Sequence, residues 1–420
     1  MSHDLDTPLV LPSGATLTNR IAKSALSEAI GSQDNAPTPE LIRLYDRWAG
    51  SGAGLLITGN VMVDRRALGE PGNVAVEDGR HLPLLKEWAA AATAGGAQAW
   101  VQLNHPGRQA PKGLNGSHQA VAPSVTSVSG APGVFGKPRA LGREEISGIV
   151  ARFAAAARTV VEAGFTGVQV HAAHGYLISQ FLSPLTNRRT DEWGGTPENR
   201  RRFLIEIVRA VRAALGPGVP IGVKLNSADF QRGGMTEDES TDVVLALAAE
   251  GIDLLEISGG NYESTVFMGA DAAERGEARA STKTREAYFL GYAERVRKAI
   301  DDSGTTLPLM VTGGFRTRTG MTEALESGAV DVIGLGRPLI LEPDLPRRLI
   351  AGTEAALPVT IKKLRIKHLE GMGELMWYGV QLRRIGQGKD PDPERHPLRN
   401  LLHYMRTTGL IGKPARRGIA

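Results

Sequence analysis

The chain has 420 residues, 41% hydrophobic and 22% charged, a composition for a globular protein with a sizeable core. It has no cysteine, which excludes disulfides, thiolate nucleophiles, cysteine-ligated zinc and ordinary iron–sulfur clusters from this sequence. The net charge of +4 collects at the C-terminal end, where residues from Ile361 onward carry thirteen Lys or Arg against five Asp or Glu. No nucleic-acid motif accompanies that excess, no apolar run approaches a membrane span, and the acidic start has no signal-peptide core. A soluble cytoplasmic protein is therefore expected.

Taken in order, residues 9–17 begin as a short extended piece, expected to form a lip over one end of the fold. Residues 20–26 have the pattern of a first strand. A helix follows at 39–49, with Leu41, Leu44, Tyr45 and Trp48 on one stripe. A strand at 54–58 ends at Gly59-Asn60, a helix spans 83–94, and a strand spans 98–103. Residues 106–143 are rich in Gly, Pro and Ser, and so long a loop leaving a strand end is expected to be a lid, with a short hairpin inside it. Helix 144–163 leads to strand 166–171, helix 197–215 to strand 220–225, and helix 237–250 to strand 254–258. After a second irregular stretch at 259–284, helix 285–300 leads to strand 308–312 and helix 321–327 to strand 330–335. Eight strands interleaved with helices favour an α/β fold of the (β/α)8 TIM barrel type, with long lid loops, over an open doubly wound sheet. The barrel is expected over 1–350. A basic helical extension, 351–420, is expected to pack on it or on the partner subunit of a homo-oligomer.

In such a barrel reactive groups collect where strands end. The stretch Val168-Gln-Val-His171-Ala-Ala-His174-Gly-Tyr176 places two imidazoles and a phenol at one exit, all able to exchange protons. The other exits carry Ser27, Asn60, Gln102 with His105, Lys224, and Ser258 before Gly259-Gly260. The last two strands end in Thr312-Gly313-Gly314-Phe315 and Gly334-Leu-Gly336-Arg337-Pro338, where glycine amides and an arginine suit a phosphate. Gly50-Ser-Gly52-Ala-Gly54 precedes its strand, and no Gly-x-Gly-x-x-Gly opens a helix after one, so a mononucleotide across the barrel mouth is expected rather than a dinucleotide in its own domain. A metal-dependent hydrolase using His171 and His174 needs a carboxylate beside them. Among the strand ends only Glu256 and Asp229 accompany them, and both are read as off phase.

The run His171-Ala-Ala-His174-Gly-Tyr176, followed by Gln180-Phe-Leu-Ser-Pro-Leu, Asn187, Arg189, Asp191, Trp193-Gly-Gly and Glu198-Asn-Arg, resembles the old yellow enzyme family of FMN-dependent NAD(P)H oxidoreductases. The His-x-x-His form is similar to its bacterial, YqjM-like branch. Asn19-Arg20-Ile21, Gln102-Leu-Asn-His-Pro-Gly-Arg108 and Gly334-Leu-Gly-Arg337 extend the match. The resemblance implies FMN in a TIM barrel, with Ser24, Ala25, Leu26 and Ser27 along the flavin and Asn60 and Gln102 near its pyrimidine edge. Lys224 would lie by N1 and C2=O, and Gly313, Gly314, Gly336 and Arg337 would hold the phosphate. His171, also against the flavin, and His174 would donate to a substrate carbonyl, and Tyr176 would deliver a proton. NADH or NADPH would supply hydride through the flavin to an electrophilic alkene. The alternatives are oxidative demethylation, nitro or nitrate-ester reduction, or desaturation. This sequence departs from the family's pattern in having Ser27 for a cysteine, Ala25 for a proline, Ala29 and Ile30 where a tyrosine is usual, Asn60 for a smaller or acidic residue, and Lys224 for an arginine.

Overall fold

The computed structural model describes residues 4–129, 133–258, 278–315, 317–352 and 370–396. Eight parallel strands close in chain order: β1 (Ile21–Lys23), β2 (Leu55–Met62), β3 (Gln98–Asn104), β4 (Gly167–Ala172), β5 (Ile221–Asn226), β6 (Leu254–Ser258), β7 (Leu309–Thr312) and β8 (Val332–Leu335). β8 returns to pair with β1 through Ile333 with Ile21 and Leu335 with Lys23. Between them run α1 (Pro39–Ala49), α2 (Leu82–Thr93), α3 (Arg143–Glu162), α4 (Pro197–Leu215), α5 (Glu237–Ala249), α6 (Ala278–Asp302) and α7 (Arg318–Glu326). The expected (β/α)8 barrel is the fold.

The starts of several helices are written locally. Thr38, Thr196, Thr236 and Thr317 each accept from a backbone N–H of the first turn, and proline follows two of them at the first helical position. Along each strand the side chains alternate. Ile21, Leu56, Val168, Val170, Val223, Leu255, Ile257, Val311 and Ile333 face the helices in the main core. Ala22, Leu55, Ile57, Trp100, Leu254, Met310 and Val332 face the barrel axis and form a second cluster, joined by Leu11 and Leu17. Trp100 fills the axis so closely that a Cβ on Gly167 or Gly222 would stand 2.7 or 2.8 Å from its ring. Leu11 and Leu17 belong to an antiparallel pair, Leu9–Val10 with Thr16–Leu17, that plugs the N-terminal end. The mouth at the other end is the one left for chemistry.

Several elements differ from expectation. In the first lid, Val121–Ala122 and Arg139–Ala140 pair in parallel, so the lid holds a crossed bridge and not a hairpin. Its two arms are clasped by one side chain, since Arg189 donates to Pro123 O at 3.1 Å and Leu141 O at 2.7 Å. Of the second expected lid, residues 259–277 lie outside the described residues, while 278–284 already belong to α6. The short helices Leu177–Leu182 and Pro338–Leu341 were not anticipated, while Leu345–Ile350 falls where the chain after Pro343 is expected to be helical. Of the extension, α8 (Glu370–Gly386) lies against α1, where Arg43 donates to Gly386 O at 2.8 Å. Residues 353–369 and 397–420 lie outside the described residues.

Candidate active site

The two imidazoles and the phenol meet at the C-terminal end of β4. The His171 ring packs edge-on against His174 at 5.1 Å and against Tyr176 at 5.0 Å between centroids. His171 Nδ1 accepts from the backbone N–H of Ala173 at 3.2 Å, so a neutral ring carries its proton on Nε2. Burial pushes the His171 pKa well below its ordinary value, and the neighbouring charges of His174 and Lys224 act in the same direction. His174 falls to about 3, through burial first and the Lys224 charge second. Both rings are neutral at physiological pH and can donate without carrying charge.

His174 takes φ +60°, a left-handed conformation that costs a side-chain-bearing residue about 1–3 kcal/mol. Three contacts hold it there. Its N–H donates to Asn226 Oδ1 at 3.2 Å, its Nε2 lies 2.9 Å from Ser258 Oγ, and its carbonyl accepts from Gln109 at 3.1 Å. The outlier therefore aims the second imidazole across the mouth toward β6. Tyr176 stands at the N-cap of the short helix Leu177–Leu182 and is 8% exposed.

Beneath the rings lies a polar layer inside the barrel. Lys224 Nζ donates to Glu256 Oε1 at 2.8 Å, with the two side chains 5% and 0% exposed. Gln102 donates to Gln169 Oε1 at 2.7 Å, and Gln169 in turn donates to Glu256 Oε2 at 2.7 Å. From the other side Thr312 donates to Glu256 Oε1 at 2.7 Å, and Ser24 Oγ lies 2.8 Å from Thr312 Oγ1. Three donors on one carboxylate make Glu256 the acceptor of the whole layer. The expectation that Glu256 is off phase is overturned: it is two residues before Ser258, so it shares that residue's face one layer deeper, and its Cα pairs with Lys224 across the sheet. Asp229 stands apart, fully engaged by Ser183 and the Met235 N–H in the loop after β5. Among the described residues no group of three or more His, Asp or Glu side chains is arranged to hold a metal.

The remaining predicted residues line the rim. Ser24 N donates to Leu335 O, which carries the chain from β1 into Ala25 and Leu26 over the mouth. The exposed Ser27 hydroxyl donates to Glu70, with Asn60 Oδ1 3.0 Å away. The Glu70 carboxyl is pushed up by burial. Gly313 and Gly314 take φ +116° and +87°, and nothing lies within 4 Å of where a Gly313 Cβ would stand, so the backbone there fronts open space. Gly336 sits at the start of helix Pro338–Leu341. Arg337, expected to hold a phosphate, instead pairs with Glu374 of α8 and lies 5.7 Å over the Tyr378 ring. The loop from Ser24 to Glu28 is anchored from behind. Lys23 faces outward, buried over the Trp48 ring at 4.3 Å, and pairs at 3.3 Å with Glu28, which also accepts from Tyr45 at 2.5 Å and the Gly59 N–H at 3.0 Å. Glu374 and Glu28 carried no sequence signal beyond being polar, whereas Gln169 and Glu256 lie two residues before His171 and Ser258 and could have been found by strand alternation.

A group such as FMN fits this donor set. Asn104, with both amide atoms, and Asn226 Nδ2 are buried at the ends of β3 and β5 with no protein partner, and each wants one. The glycine backbone of the last two strand ends suits a phosphate, and the Ser24–Gln102–Lys224 layer can meet a polar ring edge. A separate cavity of about 210 Å³ opens behind Gly175 under the lid, bordered by Arg108, Ser127, Ser183 and Asp229; neither His171 nor Lys224 lines it.

A parallel barrel with buried imidazoles over a polar layer and a glycine-lined rim suits a cofactor-dependent oxidoreductase. The chain belongs to the NADH:flavin oxidoreductase / NADH oxidase family, whose model matches residues 4–355. It is 38% identical over 365 residues to the NADH-dependent flavin oxidoreductase iliE of Hypocrea jecorina (strain QM6a), covering 83% of this chain and 89% of that protein. The iliE protein of Neonectria sp. (strain DH2) is 36% identical over 366 residues, but the chain, 83% of which is covered, spans only 47% of that relative's length. Among solved structures, the old yellow enzyme homologue from Zymomonas mobilis superposes with a TM-score of 0.68 at 26% identity, covering 84% of this chain and 94% of that one. FMN and a nicotinamide are thus the protein's cofactors. No helix among the described residues is long and apolar enough to cross a membrane.

Proposed function

We propose that this NADH-dependent flavin oxidoreductase reduces the activated C=C bond of α,β-unsaturated carbonyl compounds. The observation that carries the proposal is the neutral His171 ring, whose Nδ1 is committed to the Ala173 N–H and whose Nε2–H is left to donate, with Tyr176 packed at 5.0 Å. Ser24, Asn60, Gln102 and Lys224 would hold the ring of FMN, with Ala25, Leu26 and Ser27 along it. Gly313, Gly314, Gly336 and Arg337 would hold its phosphate. Bound FMN supplies the hydride-transfer chemistry between nicotinamide and alkene.

The protein's own part is positioning, hydrogen bonding and one proton. Reduction of an enone builds negative charge on the carbonyl oxygen, and donors already aimed there lower the barrier by about 3–4 kcal/mol each. His171 Nε2–H is one such donor, and His174 is the second in the tautomer that accepts from Ser258. The low pKa of both rings keeps them neutral, so they polarise the carbonyl without adding a proton to it. Tyr176 delivers the proton to the α-carbon, a step worth about 10²–10⁴-fold. The name of the iliE relatives supports NADH as the donor.

Anaerobic enzyme reduced with NADH and mixed with cyclohexenone tests this. Rapid reoxidation of the flavin is expected, slowed about 10²–10⁴-fold in Tyr176→Phe while reduction by NADH is unchanged. Failure of every enone tried to reoxidise the flavin would sink the assignment.

A further inference from the structure

Buried on the axis of the barrel, Glu256 has no part in the steps above, yet three donors from three strands converge on it. We infer that Glu256 is a built-in counter-charge to Lys224, positioned to hold the reduction potential of bound FMN below the value an unpaired lysine would set. The inference rests on the proposed placement of Lys224 against the flavin ring. Two-electron reduction of FMN by hydride from nicotinamide leaves negative charge on the ring. A lone ammonium beside it would favour that state over the oxidised one. A carboxylate 2.8 Å from the same ammonium, in surroundings where neither is solvated, removes most of that preference.

The layer around the pair is organised for this role. Gln169 and Thr312 donate to Glu256 as well, so both oxygens of the carboxylate have donors. Because Gln169 spends its amide N–H on Glu256, it turns its carbonyl to Gln102, which must then use its own amide to donate. The Gln102 carbonyl is thereby the end of that side chain left for a ligand. A buried ion pair is weak evidence for stability, since apolar groups of the same volume commonly do as well. An electronic role is the more economical account of a charge pair on the barrel axis. Glu256 is a positioning residue here: it acts through Lys224.

The test is the midpoint potential of the holoenzyme, read by spectroelectrochemistry. Glu256→Gln should move the potential positive by the equivalent of at least tenfold tighter binding of reduced over oxidised FMN, about 30 mV for a two-electron couple. Lys224→Met should move it negative. The double variant Lys224→Met/Glu256→Gln, which removes the charges together, should keep the relative affinity within threefold of the wild type, and it decides the question if Glu256→Gln does not fold. A double variant as negative as Lys224→Met would overturn the inference, by showing that the lysine acts uncompensated. Potentials unmoved in both single variants would overturn the placement of Lys224 as well.

Discussion

Acidification from pH 7 to pH 5 should cost the fold about 2 kcal/mol for each of two rim histidines, His105 and His174. Burial lowers His105 to about 4 and His174 to about 3, so both stay neutral in the native protein at pH 5, and it lowers His171 in the same direction. In the unfolded chain each titrates near 6.5. The native state therefore binds fewer protons than the unfolded one from about pH 6.5 down to the native values of about 4 and 3, and stability falls as pH falls through that window. At pH 5 the unfolded chain is favoured by roughly 1.5 pH units for each of the two rings, about 2 kcal/mol each and about 4 kcal/mol together. The buried carboxyls of Glu70 and Asp229 are raised and work the other way, so the total is best divided by substitution. His105 Nδ1 accepts from the Gly107 N–H at 3.1 Å, a contact an asparagine oxygen can keep. Urea unfolding of His105→Asn, followed by circular dichroism at pH 7, 6 and 5, should lose about 2 kcal/mol less than the wild type across that range. Parallel pH profiles for the two proteins would refute a neutral buried His105.

Glu28→Gln leaves Lys23, 0% exposed, without its partner and should cost about 3–5 kcal/mol in urea unfolding, because a broken buried pair strands a charge; a midpoint equal to wild type would mean the lysine finds other solvation. Glu374→Gln releases Arg337 from α8 and should tighten FMN several-fold in a fluorescence titration, less so at high salt, since both side chains are partly exposed; unchanged affinity would show that Arg337 does not meet the phosphate. Gly334→Ala puts a Cβ 2.0 Å from Thr312 Oγ1 and 2.7 Å from Ser24 Oγ, and should weaken FMN retention on a desalting column by tenfold or more.

The barrel was legible because strand and helix periods alternate along the chain, and the expected bounds of α1, α4 and β6 coincide with those found. What escaped was structure set by distant partners. The short helix Leu177–Leu182 is fully buried, so it has no polar face to mark it, and its first N–H is bonded to His105 O from another strand end. The parallel bridge of the lid depends on Arg189 reaching both arms, which no local pattern encodes. Arg337 was recognised as a phosphate candidate, but its partner Glu374 lies 37 residues on, in a helix whose docking the sequence does not specify.

The site shows the same division one level down. The residues near each strand end could be listed from the sequence, and they gave the rim groups His171, His174 and Ser258, with Lys224 one layer deeper. Chemistry in a barrel, however, depends on the layer beneath as much as on the rim, and that layer is found by counting back two residues to Gln169 and Glu256. Directly below it Trp100, Met310 and Leu254 fill the axis at 0% exposure, with the plug residues Leu11 and Leu17 closing the end. A ligand entering from the mouth can descend no further than the Gln102–Gln169–Glu256–Thr312 layer, because the apolar layer leaves it neither room nor partners. A flat ring bound there would lie above that layer, within reach of His171 and His174. Substitutions below it, such as Met310→Leu, should change stability without changing the colour or potential of the bound flavin. A shifted potential in Met310→Leu would mean that the ring lies deeper than the polar layer allows.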